Sequence, residues 1–245
     1  MHRFFDSAIR PLLDATRLRA LVEIGAAQGQ HTVRLAPYAA ARGAHLHVID
    51  PAPLFDPGPF RRQYAGYATL HEHISHDVLP AIPAPDVVLL DGDHNWWTVY
   101  EELRILDRTC TRWPLTLLHD IEWPYGRRDM YYAPELVPAG YRHRHANSGV
   151  VRGRSKLSRK GINSIYANAT HEGGERNGVL TAIEDFLDTT ERDLALFIAP
   201  GNNGLAIVAD RERLRRERFA TVLRRVHDPR AAAELSPRHA SPAVA

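Results

Sequence analysis

The 245 residues contain one cysteine, two methionines and, among 31 basic residues, only two lysines, Lys156 and Lys160. A lone thiol, Cys110, cannot close an intramolecular disulfide or build a cysteine zinc site, and it suits a reducing compartment. No apolar run approaches the roughly 18 residues of a membrane span, and the opening MHRFFD lacks the apolar stretch of a signal peptide, so a cytoplasmic protein without a membrane partner is expected. Because arginine replaces lysine almost everywhere, a single arginine is not automatically a bidentate recognition group. An excess of one charge sign is missing as well. The net charge is +2, which argues against a dedicated polyanion binder and makes nucleic acid an unlikely partner. That average hides an imbalance. Residues 136–171 carry no Asp or Glu but seven cations, Arg142, Arg144, Arg152, Arg154, Lys156, Arg159 and Lys160, which leaves the rest of the chain at −5.

What is present is an ordinary globular composition, 44% hydrophobic and 24% charged, enough for a sizeable core. The first ninety residues alternate short apolar runs with helical spacing, the pattern of βαβ units around a parallel sheet. Strands are expected at 20–24 (ALVEI), 44–49 (AHLHVI), 67–71, 86–90 (DVVLL) and 115–118 (LTLL). Between them helices are expected at 31–42, with Val33, Leu35 and Ala36 inward and Gly43 as the stop, at 77–82 and at 95–109. From 121 to 178 no period is sustained, and a structureless stretch of that length inside a domain signals either a functional lid or a mistaken assignment of elements. Asn177 is a plausible N-cap for an amphipathic helix at 178–187. The apolar runs 194–199 and 205–209 flank PGNNG and read as a terminal antiparallel hairpin. A basic helix at 212–226 docks Phe219, Val222 and Leu223, and the Ala-, Pro- and Ser-rich tail 228–245 is expected to be disordered. The fold class is thus α/β, a single domain over 1–227 with a lid at about 121–177.

In an open parallel sheet, ligands bind outside the carboxyl ends of the strands. The first strand ends in Glu23-Ile24-Gly25-Ala26-Ala27-Gln28-Gly29, where glycines four apart let backbone approach a ligand and leave helix N–H groups free. The second ends in Asp50, twenty-seven residues after Glu23, where a carboxylate can accept both hydroxyls of a ribose. Each alone reads equally as a turn or a cap; together they favour an adenosine-containing cofactor. G-x-G-x-x-G and G-K-S/T are both absent, and the charge of Glu23 would repel a pyrophosphate. That points to a cationic cofactor, S-adenosylmethionine, and away from a dinucleotide. The fourth strand ends in Asp91-Gly92-Asp93-His94 and the fifth in His119-Asp120, where carboxylates on adjacent strands can converge on a divalent cation. His94 is the best general-base candidate because its unperturbed pKa of about 6.5 lies near working pH. His45, His47, His71, His73 and His76 read as strand or surface residues.

VEIGAAQGQHT, HVIDP, PDVVLLDGDHNWWTVYEEL and PLTLLHD, in that order, resemble a class I S-adenosylmethionine-dependent methyltransferase. DGDH is similar to the metal-dependent small-molecule O-methyltransferase branch that includes macrolide-sugar and cephalosporin-hydroxylase-like proteins. The resemblance covers residues 18–122 well and the terminal helix and hairpin more loosely. It implies a Rossmann-like, mostly parallel seven-stranded sheet with helices on both faces. Glu23, Gly25, Ala26, Gln28 and Gly29 would line the methionine end of the cofactor, Asp50 would hold the ribose, and Ser75 would lie near the adenine. Asp91 and Asp120 would bind magnesium, with Asp93 or His119 as the third ligand. His94 would be the base, with Asp93 beside it. Ala27 stands where a glycine is commoner, and Ile121 follows Asp120 where related metal-dependent enzymes often carry Asp or Asn.

The implied activity is O-methylation of a hydroxyl on a sugar or other polar natural product. Arg127, Arg128, Tyr131 and Tyr132 follow the fifth strand end and are the substrate-binding candidates, able to stack on a sugar face or clamp an anionic group. The other reading of the two arginines pairs them with Glu172 or Glu175. A peptide- or nucleic-acid-modifying methyltransferase using the basic lid, and a non-catalytic S-adenosylmethionine-binding protein, remain alternatives. A long lid beside a surface site also leaves room for a second subunit in a homo-oligomer.

Overall fold

The computed structural model describes residues 1–239 and 241. Five strands come first: β1 (Ala20–Ile24), β2 (His45–Ile49), β3 (Ala68–His71), β4 (Val87–Leu90) and β5 (Leu115–His119). The segment after β5 adds β6 (Met130–Tyr131), β7 (His145–Asn147), β8 (Gly149–Val151), β9 (Arg154–Ser158) and β10 (Ala167–Ala169), and the chain then forms β11 (Leu194–Ala199) and β12 (Leu205–Asp210). The main sheet has seven strands in the order β11-β12-β5-β4-β1-β2-β3. Strands β1 to β5 pair in parallel, while β12 is antiparallel to both β5 and β11. β4, VVLL, is buried along its whole length, as a strand covered on both faces must be.

Helices α1 (Arg10–Asp14), α2 (Thr32–Ala40), α3 (Pro57–Gln63), α4 (Ser75–Val78), α5 (Trp96–Thr109), α6 (Val179–Thr189), α7 (Arg211–Leu214), α8 (Glu217–Val226) and α9 (Pro229–Leu235) complete the chain. Leu12, Leu35, Phe219 and Leu223 pack with Leu21, Leu117 and Phe197 in one apolar cluster. Trp96, Leu103, Leu106, Ile183 and Phe186 pack with Val22, Val88, Leu118 and Ile198 in the other. Alternate residues of each strand thus feed opposite faces. No helix among the described residues is long and apolar enough to cross a membrane.

Several expected details differ. Val33 is 58% exposed, since a helix that buries Leu35, Ala36 and Ala39 turns position 33 about 200° away from 35. Asn177 does not cap α6: Gly178 holds the cap position, and the buried Asn177 side chain binds backbone instead, accepting from Asp129 N and donating to the His171 and Gly173 carbonyls. The basic helix is two helices broken at Arg215 and Arg216, the first capped by Asp210. In the tail expected to be disordered, Asp228 accepts from the N–H groups of Arg230 and Ala231 and starts α9; residues 240 and 242–245 of that tail lie outside the described residues.

The segment 121–177 is not structureless. It folds as a three-stranded sheet, β6-β10-β7, and a hairpin, β8-β9, over a small core of Tyr131, Val137 and Ala167 with Trp97 and Tyr141. Its strands are two to five residues long, too short for a period to register in the sequence.

Register positions the functional end. Ile24 pairs with Leu90, and Leu90 with Leu118, so Gly25, Asp91 and His119-Asp120 emerge side by side from neighbouring strands.

Candidate active site

The turn after β1 is fixed by close approach. Gly25 has φ +86°, and a β-carbon there would stand 2.3 Å from the Asp91 carbonyl oxygen, so only glycine fits. Gly29 has φ +77°, and Ala27, where glycine is commoner, also takes a left-handed conformation at φ +44°. Asp50 holds this turn from β2. Its Oδ2 accepts from the N–H groups of Ala26 and Ala27, both at 2.9 Å, and its Oδ1 from Ala52. Gln28 is exposed at the outside of the turn.

Beside the turn lies a set of buried polar atoms without hydrogen-bond partners. Both carboxylate oxygens of Glu23, Nε2 of His31 and Oγ1 of Thr32 are unsatisfied, although His31 Nδ1 stands 3.3 Å from Glu23 Oε1. Glu23 is 1% exposed, and a buried carboxylate without a hydrogen bond is costly. The group fits the charged amino-acid end of a cofactor. His31 and Thr32 end the motif VEIGAAQGQHT but are not singled out by it; their place at the entry of α2, directly after the glycine turn, is the signal that identifies them.

Between β4 and β5 a second cluster forms. Asp91, His94 and Asp120 each offer a ligand atom within 4.8 Å of the others. His94 Nε2 lies 2.7 Å from Asp120 Oδ2, and its Nδ1 is buried without a partner. Asp120 has φ +60°, an uncommon conformation for aspartate. His119 Nδ1 lies 2.9 Å from Asp91 Oδ1 and 2.8 Å from Asp120 Oδ2, while its Nε2 lies 2.8 Å from the Asn202 carbonyl. Both ring nitrogens of His119 therefore face acceptors, so both carry protons and the ring is a cation. Burial alone would lower its pKa, but hydrogen bonds to Asp120 and Asp91 raise it to about 10. In this arrangement His119 bridges the two carboxylates, while the group whose ligand atoms converge within 4.8 Å is Asp91, His94 and Asp120.

Burial opposes the charge on Asp91 and Asp120, but the neighbouring histidines prevail and hold both below the usual carboxylate range. The same pairing raises His94 above an ordinary histidine, against the effect of burial. Asp91 Oδ2 also accepts from the Met1 ammonium at 2.7 Å.

Asp93 is not one of the three residues whose ligand atoms converge. It accepts from His94 N, Asn95 Nδ2 and Thr98 Oγ1, and so organises the first turn of α5, while burial raises its pKa. Ser75, expected near an adenine, is buried and donates to Glu102 Oε1 at 2.5 Å.

Of the four lid residues expected to meet substrate, Arg128 and Tyr131 are buried, and Arg127, partly exposed, is engaged by the body. Arg127 pairs with Glu184 and donates to the Leu235 carbonyl, fastening the lid to α6 and the end of α9. Arg128 is 1% exposed, bonded to the carbonyls of Ala169 and Ser155, and 3.5 Å from Glu172. Tyr131 is buried and donates to Asp129. Only Tyr132 is exposed beside the cluster, its ring 5.9 Å from that of His94 and 5.2 Å from Tyr166. Tyr125, which nothing in the local sequence marks as functional, packs 5.3 Å from His94.

Residues 22–121 match a family model described as a methyltransferase domain, a span from β1 to the residue after Asp120 that includes both clusters. The SAH-bound methyltransferase PaMTH1 of Podospora anserina superposes with a TM-score of 0.51 at 13% identity, over 82% of this chain and 76% of that one. That likeness is one of fold. A candidate caffeoyl-CoA O-methyltransferase from Staphylococcus aureus follows with 12% identity, 82% and 80% coverage and a TM-score of 0.48. No curated protein matches the sequence. The matched segment on this sheet supports a methyltransferase.

Proposed function

We propose that the chain is an O-methyltransferase that takes its methyl group from S-adenosylmethionine and transfers it to a hydroxyl of a sugar or other polar natural product. The observation that carries this reading is the pairing of two unsatisfied sites at neighbouring strand ends. One is the orphaned Glu23-His31-Thr32 group beside a glycine turn; the other is the unpartnered Nδ1 of His94, with Nε2 on Asp120. The first suits a cationic amino-acid head, and the second suits a proton acceptor.

When bound, S-adenosylmethionine supplies an electrophilic methyl carbon. Asp91 and Asp120 would hold a divalent cation such as Mg²⁺, which would supply Lewis acidity toward the acceptor hydroxyl. The chain's own residues do the rest. Gly25 lets the turn approach the cofactor, and Asp50 fixes the turn while retaining acceptor capacity for a ribose. Asp120 orients His94 through Nε2 and raises its basicity, leaving Nδ1 to accept the hydroxyl proton as the oxygen–methyl bond forms and the sulfur–methyl bond breaks. Tyr125 and Tyr132 flank the imidazole and restrict water around it.

The test is a panel of sugar, phenol and peptide acceptors with mass detection of a methyl gain, in wild type and His94→Ala. Turnover should fall by about 10²-fold or more, the usual worth of a general base, with S-adenosylmethionine affinity unchanged in titration calorimetry. Retained turnover with lost cofactor affinity would contradict the assignment of His94. A Mg²⁺ titration unaltered by H94A separates its role as base from that of a ligand.

A further inference from the structure

The β8-β9 hairpin is held rigidly from beneath and left highly charged on top. A β-carbon on Gly149 would stand 2.3 Å from the Gly161 carbonyl carbon, so the chain entering the hairpin and the chain leaving it are locked in contact. The buried guanidinium of Arg128 donates to the Arg154 and Ser155 carbonyls, and Glu172 N donates to Ser155 Oγ. Above this support, Arg152, Arg154, Lys156, Arg159 and Lys160 are all exposed, and none forms an ion pair among the described residues. Both lysines of the chain fall in this stretch. Five cations in nine residues repel one another, and the absence of any acid from 136 to 171 leaves that repulsion uncompensated within the segment. Arg154 and Lys156 are two apart on β9, so they project from the same face about 7 Å from each other.

The hairpin is tied to the wall of the reaction site. Arg152 stacks 4.7 Å from the ring centre of Trp123, which follows Asp120 by three residues. Val150 and Ile162 exchange backbone hydrogen bonds, and the next residue, Asn163, donates to the hydroxyl of Tyr125, whose ring packs on His94. The hairpin and the tyrosine that packs on the imidazole are thus parts of one connected lid.

We infer that the methyl acceptor carries a phosphate or pyrophosphate group, and that Arg154 and Lys156, with Arg152, Arg159 and Lys160 around them, hold it while its hydroxyl meets His94. Dense charge spread over several oxygens suits several separate cations better than a single carboxylate would. The inference rests on the reading of the crevice as a methyl-transfer site.

The test compares the full chain with the variant R154Q/K156Q/R159Q, whose altered side chains are all exposed. Calorimetric titration with inorganic pyrophosphate at low salt should show saturable binding to wild type, at least tenfold weaker binding to the variant, and weakening as salt rises. S-adenosylmethionine affinity should be the same in both proteins. Equal pyrophosphate affinity in the two proteins, or none in wild type, overturns the inference. So does a single-stranded oligonucleotide binding more tightly than pyrophosphate through the same residues, because the partner would then be a polymer. Should the triple variant melt early, R154Q/K156Q replaces it with the same criteria. Failure of wild type to bind S-adenosylmethionine would instead remove the methyl-transfer reading, a result the pyrophosphate titration does not share.

Discussion

Glu102 provides a stability test whose sign and size follow from its surroundings. It is 2% exposed on α5, and among the described residues the one hydrogen bond to its carboxyl comes from Ser75. Burial, only partly offset by that bond, raises its pKa to about 8, with Asp93 adding like-charge repulsion. The native state therefore keeps the proton to about pH 8, whereas the unfolded chain releases it near pH 4.5. Between these values the native state binds more protons, so stability is fully present below pH 4.5 and falls as pH rises through 8. At about 1.4 kcal/mol for each pH unit between the two values, the limiting loss is on the order of 5 kcal/mol. Glu102→Gln keeps the shape and removes the titration. Urea unfolding of both proteins at pH 5, 6, 7 and 8 should show E102Q gaining on wild type by about 1 kcal/mol per pH unit. A difference that stays constant across that range would refute the argument, because it would mean Glu102 titrates alike in both states.

Three further outcomes can be measured. Gly25→Ala should unfold at lower temperature and fail to bind S-adenosylmethionine in calorimetry, since its β-carbon meets the Asp91 backbone and the residue sits at positive φ. Asp129→Ala should cost about 3 to 6 kcal/mol in urea unfolding, because Asp129 accepts from Trp96 N, Gly178 N and Tyr131 OH, and three buried donors would lose their partner. Ala27→Gly should be neutral or stabilising by up to about 1 kcal/mol in thermal melts, since the left-handed strain at Ala27 exceeds the entropy that glycine adds to the unfolded chain.

The strand ends owe their electrostatic balance to His119. Two carboxylates meeting at neighbouring strand ends would repel each other, and the imidazolium between them offsets that repulsion with hydrogen bonds fixed by the Asn202 carbonyl. The hairpin turn PGNNG, which supplies that carbonyl, therefore has a part in the site. Asp129 links lid and body in a similar way. One of its carboxylate oxygens accepts from Trp96 at the start of α5 and from Gly178 before α6, so the lid cannot shift as a unit without releasing both helix starts.

These cross-chain roles mark the boundary of what was legible in the sequence. The strands β1, β2, β4 and β5 and their functional ends were readable because continuous apolar runs such as ALVEI and DVVLL have few other uses, and because the residue after each run falls at the ligand end of a parallel sheet. The lid was opaque for the opposite reason. Arg127, Arg128 and Tyr131 stand next to the fifth strand end in sequence, which made them substrate-binding candidates. Whether a side chain points outward or inward depends on partners that the local sequence does not reveal: Glu184 for Arg127, the 154–155 carbonyls for Arg128 and Asp129 for Tyr131. An arginine seated under a hairpin and one exposed on top of it share the same local sequence signature. Only the long-range pairing separates the cations that hold the lid in place from those left free to meet an anion.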